Sequence, residues 1–543
     1  MHFLVRLPLI VGICLGLSWS GAGCSRQSPA VPVAKEKSDI PETPHKPRFT
    51  ISKETTYITE PLDKDGYPDY AAALNERLGK GVTPENNANV LIWKALGPKP
   101  EGGRGMPPGY FKLLGIEPPP ERGEYFTQLD KYLREQSTAT PGEQQETVRR
   151  LGQAVVSPWT ADDFPQIGSW LKSNEKSLAI LVDASKRSHY FNPLVSWKTN
   201  LSNTGLTSSL LPSVQACRGV ASALACRAMR YLGEGNYDAA ASDLLACHRL
   251  GRHIGLGGTL IEALAGNAID GIASQAELAF IDRARINARQ LRNYLSELQS
   301  LPPSPVIADK VETCERFMLL EYVTMVNRYG IRYMEAVAEK PATEPDPATA
   351  PLMQNINWDP AFRNVNRWYD RMKADLREPN ALKRSDSLQR LEDDLKALKR
   401  DFNGFEEVAK AAQLGKDVPE TMGRAIGDIL ITLLLPAIHK VQVAADRAEQ
   451  TQRNLHIAFA LAIYQRENGK YPEKLDALAP KYLAKVPDDL FTGKPLVYKP
   501  TEKGYQLYSL GPNGKVDAGR GREDDPASDD IAVRMPLPKP KGK

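Results

Sequence analysis

Between Leu210 and Gly330 apolar residues recur at helical spacing, and the pattern breaks at Gly233-Glu-Gly235, at Gly255 to Gly258 and at Pro302-Pro303. Positions three and four apart share one face of a helix, while Gly and Pro interrupt its hydrogen-bond ladder, so this punctuation predicts four or five packed helices. Upstream, Tyr70 to Gln136 mixes short helical patterns (AAALNERLGKG, ENNANVLIWKALG, YFTQLDKYLREQ) with breaker clusters such as Met106 to Gly109 and Pro118 to Pro120. That stretch reads as an irregular helical region. Downstream, Leu388, Leu391, Leu395, Leu398, Phe402 and Phe405 alternate spacings of three and four. The seam suits a short coiled coil, but Gly404 interrupts it, and it fits equally an intramolecular hairpin with Val365 to Arg377. The expected fold class is mainly α: a multi-helix body, with an α-solenoid as the alternative arrangement, followed by a small C-terminal α+β domain.

A chain of 543 residues, 41% hydrophobic and 25% charged, is globular and long enough for roughly three domains. Its 70 basic and 66 acidic side chains leave a formal charge of +4, with a short basic tail at Lys539 to Lys543. A nucleic-acid partner requires a concentrated basic footprint, so that class is set aside. No HExxH, GxSxG, Gly-Lys-Ser/Thr phosphate loop or paired CxxC is present, which places a structural role above a catalytic one. Cys217, Cys226, Cys247 and Cys314 fall in apolar helical pattern, where cysteine behaves as a small buried hydrophobe. Cys217 and Cys226 sit about 13 Å apart by helical rise, which forbids a bridge, whereas Cys226 with Cys247 is geometrically open across a hairpin. His248 and His253 are five residues apart on a predicted helix and point in different directions, so they read as structural or surface residues rather than metal ligands. Leu62 to Asp69 (LDKDGYPD) lacks the closing Glu of a calcium loop and reads as a surface turn.

The N-terminus resembles a bacterial lipoprotein signal: His2 and Arg6 begin it, Leu7 to Leu17 is an apolar run too short to span a bilayer, and Ser20-Gly21-Ala22-Gly23 precedes Cys24. The resemblance implies lipidation at Cys24 and a membrane anchor, although Gly21 stands where Leu is usual; ordinary cleavage after Ala22 is the alternative. Both place the protein in the cell envelope, beyond the inner membrane. Ser25 to Thr50 is rich in Pro, Ser and charge and is expected to be a flexible tether.

Two further resemblances follow from quoted residues. Leu224, Ala228 and Tyr231, the turn Gly235-Asn-Tyr237, and Ala240, Leu244 and Cys247 resemble one tetratricopeptide hairpin, with no second copy at the expected period. The segment from Ile429, through Asn468-Gly469-Lys-Tyr-Pro472, Val486-Pro487-Asp488, Gly493-Lys-Pro495 and Tyr508-Ser-Leu-Gly511, resembles the soluble part of the major pseudopilin of type II secretion. It covers roughly one fifth of the chain. The residues agree: Leu455, Phe459, Ala462 and Ile463 give a helical face, Asn468-Gly469 ends the helix, and Leu496 to Tyr498 and Tyr505 to Tyr508 read as strands around Lys503-Gly504. The chain lacks a prepilin-peptidase signature before this helix, and Pro436 interrupts the apolar run Ile429 to Ile438, so polymerisation into a fibre is not expected.

The pseudopilin resemblance implies calcium as a cofactor, held in the loop Leu510 to Ile531 by carbonyls near Leu510 and Asn513 and by the carboxylates of Asp529 and Asp530. This loop carries an inserted acidic group, Glu523, Asp524 and Asp525. The expected order is a signal peptide (1–23), flexible linker (24–50), irregular helical region (51–205), helical bundle with the hairpin (206–337), linker (338–360), helical hairpin or short coiled coil (361–425), pseudopilin-like domain (426–536) and basic tail (537–543). The expected function is an exported, lipid-anchored structural or protein-interaction protein, with pilin-like partners as one option. An accessory part of a secretion or pilin-like apparatus and an envelope hydrolase are the alternatives.

Overall fold

The structure is a computed structural model that describes residues 46–136, 139–337, 356–401, 417–434, 438–522 and 524–538. Cys24, the signal segment, most of both expected linkers, Phe402 to Phe405, Pro436 and Glu523 lie outside the described residues. The chain is mainly helical, with one small antiparallel sheet at its C-terminal end.

Among the described residues seven helices form the first part: α1 Tyr70–Gly79, α2 Ala88–Leu96, α3 Pro108–Leu114, α4 Leu129–Gln136, α5 Pro141–Val156, α6 Pro165–Ser173 and α7 Glu175–Ser185. Local chemistry starts them. At α5, Thr140 and Glu143 form a reciprocal capping box ahead of Pro141, whose missing N–H costs nothing in the first turn. The LDKDGYPD segment is a turn: Asp63 Oδ1 accepts the N–H groups of Asp65 and Tyr67, and Arg328 pairs with Asp63 and Asp65. Phe49, at the end of the expected tether, packs on Phe362 with ring centroids 4.6 Å apart.

The central bundle comprises α8 Pro212–Gly233, α9 Tyr237–Leu256, α10 Leu260–Arg283, α11 Ala288–Gln299, α12 Ile307–Lys310 and α13 Arg316–Tyr329, the last two joined by a π-helical turn, Val311–Glu315. Three of the breaks fall at or beside the Gly and Pro clusters, although Gly255 sits inside α9 rather than in the break after it, while the break between α10 and α11, Ala284 to Asn287, contains neither residue. In the α8–α9 hairpin, Leu224, Ala228, Ala240, Leu244 and Cys247 are fully buried, and Arg227 clamps Asp243 through two bonds of 2.7 Å. The α9–α10 crossing depends on two glycines. A Cβ on Gly266 would lie 2.5 Å from the Gly251 carbonyl oxygen, so the backbones meet where no side chain fits. All four described cysteines are buried free thiols.

Beyond α14 Ile331–Val337, α15 Asp359–Leu376, α16 Ala381–Asp401 and α17 Val418–Leu434 pack together. Leu388 and Leu391 of the seam are buried in one core with Val365, Tyr369 and Met372, and Leu395 packs against it. The long α18, Ile438–Asn468, stops at Gly469, whose φ is +76°. Strands β1 Val497–Pro500, β2 Tyr505–Ser509 and β3 Ile531–Met535 follow in the order β1-β2-β3, with Leu507 opposite Tyr498 and Val533.

The burial of α18 differs from the expected single apolar face. Every residue from Ile457 to Ile463 is buried, because β2 and β3 cover one side while α10 and α11 cover another. A helix enclosed all round belongs to a core, and one continuous cluster runs from Val214 through Ile269 and Phe459 to Met535. The helical body and the C-terminal segment thus share a single interior. Among the described residues no helix is long and apolar enough to cross a membrane.

Candidate metal centre

The loop between β2 and β3 is fixed at its start by Asp489, a buried carboxylate that accepts the Ser509 hydroxyl and the Leu510 and Phe491 N–H groups, each at 2.9 Å. Gly511, at φ +65°, then passes the end of the same loop so closely that a Cβ would lie 2.2 Å from the Asp529 carbonyl oxygen. At the loop's end Arg447 of α18 donates to that carbonyl at 2.9 Å, and Asn454 holds the Ile531 carbonyl at 2.8 Å.

These constraints bring Asp517, Asp529 and Asp530 together, with one carboxylate oxygen of each within 4.8 Å of the others. Two oxygens ligating one calcium at about 2.3–2.6 Å lie no further apart than roughly twice that bond, so the spacing fits a shared ion. Asp530 is 2% exposed, and its Oδ2 accepts the Gly519 N–H at 2.8 Å. Burial raises its pKa, and the neighbouring Asp517 and Asp529 charges add to the rise against the opposing Gly519 N–H. Hydrogen bonds from Ser528 and Asn513 hold Asp517 below the usual carboxylate range. Asp529 Oδ1 and Asp530 Oδ1 are buried and accept no hydrogen bond among the described residues. Orphaned acceptors in an acidic cluster are what a hard cation satisfies, so the residues present fit the ion.

The sequence-predicted residues divide in role. Asp529 and Asp530 converge. Asn513 braces them: its N–H donates to Asp529 Oδ2 at 3.1 Å, its amide to Asp517 at 3.3 Å, and its side-chain oxygen accepts the Lys515 N–H at 2.7 Å. Leu510 is tied through its N–H to Asp489. Asp517 escaped the sequence reading because loop closure alone brings it to a pair twelve residues ahead. Within the inserted acidic group, Asp524 pairs with Arg534 at 2.6 Å instead.

The histidines, read as structural or surface, are both buried and point apart: His248 meets Asp270 and Glu277, while His253 approaches the Ser185 carbonyl at 3.2 Å. Comparison with known proteins gives no match, whether to family models, to curated proteins or to solved structures.

Proposed function

We propose that the chain is an exported, membrane-anchored structural or protein-interaction protein whose pseudopilin-like C-terminal module is clamped by a calcium ion. The convergence of Asp517, Asp529 and Asp530, with two buried carboxylate oxygens that have no donor among the described residues, carries this reading. Each unmet buried acceptor costs about 1–3 kcal/mol, and like charges add repulsion; a divalent cation relieves both. The role is fixed rather than fibre-forming, because a polymerising subunit needs its helix free for neighbours and α10 and α11 of the same chain cover α18. Lipidation at Cys24 holds the body at a membrane, and its partners are proteins, pilin-like ones among them.

Titration calorimetry on the full chain, stripped with a chelator, tests the ion. One calcium should bind per chain, and Asp517→Asn or Asp530→Asn should weaken it by about tenfold or more, since affinity follows ligand charge. Absence of binding at millimolar calcium sinks the proposal. For the anchor, Cys24→Ser should move the protein from membranes to the soluble fraction; identical fractionation of variant and wild type counts against it.

A further inference from the structure

A cavity of about 900 Å³ opens between α1, α3, α13 and the segment 191–209, a volume within the range of small-molecule sites. Its walls are largely apolar, with Leu114, Phe191, Leu194 and Met325 among them. Glu321 of α13 also lines it and is only 7% exposed. The Glu321 Oε2 accepts the Leu206 N–H, and Gly205 at φ +92° makes the approach possible, because a Cβ there would lie 2.8 Å from that oxygen. The other carboxylate oxygen, Oε1, accepts no hydrogen bond among the described residues. Burial lifts this carboxyl to about 7, with the Leu206 N–H and Lys198 opposing and Asp69 adding to the rise.

The charges around the cavity set the sign of what it takes. Arg328 is matched by Asp63, at 2.8 Å, and by Asp65. Of the remaining charged groups, Asp69, Glu76 and Glu321 outnumber Lys64 and Lys198. A neutral apolar guest would leave the Glu321 oxygen unmet, and an anion would face Asp69 and Glu321 together. We propose that this cavity binds a small amphipathic cation, an alkyl amine or alkyl guanidine, whose head pairs with Glu321 while its apolar body lies against Phe191, Leu194 and Met325. Nothing in the calcium reading bears on this site, since it lies on different elements.

Titration calorimetry on the full chain with octylammonium, and with octanol and octanoate as neutral and anionic probes of equal length, tests it. Octylammonium should saturate one site while the other two do not bind. Glu321→Gln keeps an acceptor for the Leu206 N–H but removes the charge, and should weaken octylammonium by about tenfold or more; Met325→Trp, one turn from Glu321, should crowd the cavity wall beside it and weaken binding as well. Thermal melts near wild type show that both variants are folded, and if either is not, the wild-type comparison of ammonium with alcohol decides alone. Octanol binding as tightly as octylammonium, unchanged binding by Glu321→Gln, or no binding by wild type overturns the proposal.

Discussion

His248 on α9 is gripped at both ring nitrogens, with Nδ1 2.6 Å from Asp270 Oδ1 and Nε2 2.9 Å from Glu277 Oε2, two acceptors that sit two turns apart on α10. Tyr294 of α11 donates to the other Glu277 oxygen, and Arg252 and Gln452 donate to Asp270 Oδ2 at 3.1 and 2.7 Å. The cluster therefore links α9, α10, α11 and α18 around a ring that has no exposure. A ring whose two nitrogens both face carboxylates is the imidazolium form.

Removing that ring should destabilise the protein by about 3–5 kcal/mol near neutral pH, because it leaves buried carboxylates without their partner. Burial on its own lowers the His248 pKa, but the Glu277 and Asp270 charges outweigh it and hold it at about 10, above the ordinary 6.5. With the folded value raised, the stabilisation is complete below the unfolded pKa and fades as pH climbs towards 10. Urea unfolding of wild type and His248→Gln should therefore differ most at about pH 6, and the gap should close only as pH rises through about 10. A gap independent of pH would mean that the ring is neutral in the folded chain.

The glycine crossing gives a paired test within one helix. Gly266→Ala places a methyl 2.5 Å from the Gly251 carbonyl oxygen and 2.7 Å from the Gly255 nitrogen, both rigid backbone atoms. Overpacking of this kind should cost about 1–3 kcal/mol. Gly271, on the same helix, has nothing within 4 Å of its added Cβ, so Gly271→Ala should gain roughly 0.5–1 kcal/mol from lost backbone freedom. Opposite shifts in melting temperature are expected, and a neutral Gly266→Ala would disprove the close approach.

Local chemistry was legible in the sequence, and closure over distance was not. The Gly and Pro punctuation located the breaks after α8, α9 and α11 but not the one between α10 and α11, which has neither residue; Asn468-Gly469 marked the end of α18, and the alternation at Tyr505 to Tyr508 marked a strand, since each signal lies within a few residues of what it controls. The encasement of α18 stayed hidden because Ala458 and Ala460 fill its further faces, and alanine is too small to register as a second apolar stripe. His248 looked unremarkable in sequence because Asp270 and Glu277 lie 22 and 29 residues away on another helix. Asp529 and Asp530 were singled out in the sequence through a resemblance, whereas Asp517 joins them only once the loop is folded.

The shared interior predicts that neither half of the protein is stable alone. Residues Ile457 to Ile463 bury against both the sheet and the helical body, and Phe459 stacks on Tyr294 with ring centroids 5.2 Å apart. Polar contacts cross the same seam. Gln452 donates to Asp270 and to the Ser274 hydroxyl, each at 2.7 Å, and Arg466 donates to the carbonyls of Ile281, Ala284 and Ile286 where α10 ends, at 3.2, 3.3 and 2.9 Å. A C-terminal piece expressed alone would expose several apolar side chains, each worth about 1.5–3 kcal/mol of lost burial, and would orphan the carbonyls at the end of α10 in the other piece. Dividing the chain between Leu434 and Ile438 should therefore give two fragments that melt without a cooperative transition when separate and co-purify when expressed together. A sharp melt of the isolated C-terminal fragment would show that its own core suffices, and that its packing on α10 and α11 is a docking contact between independent domains.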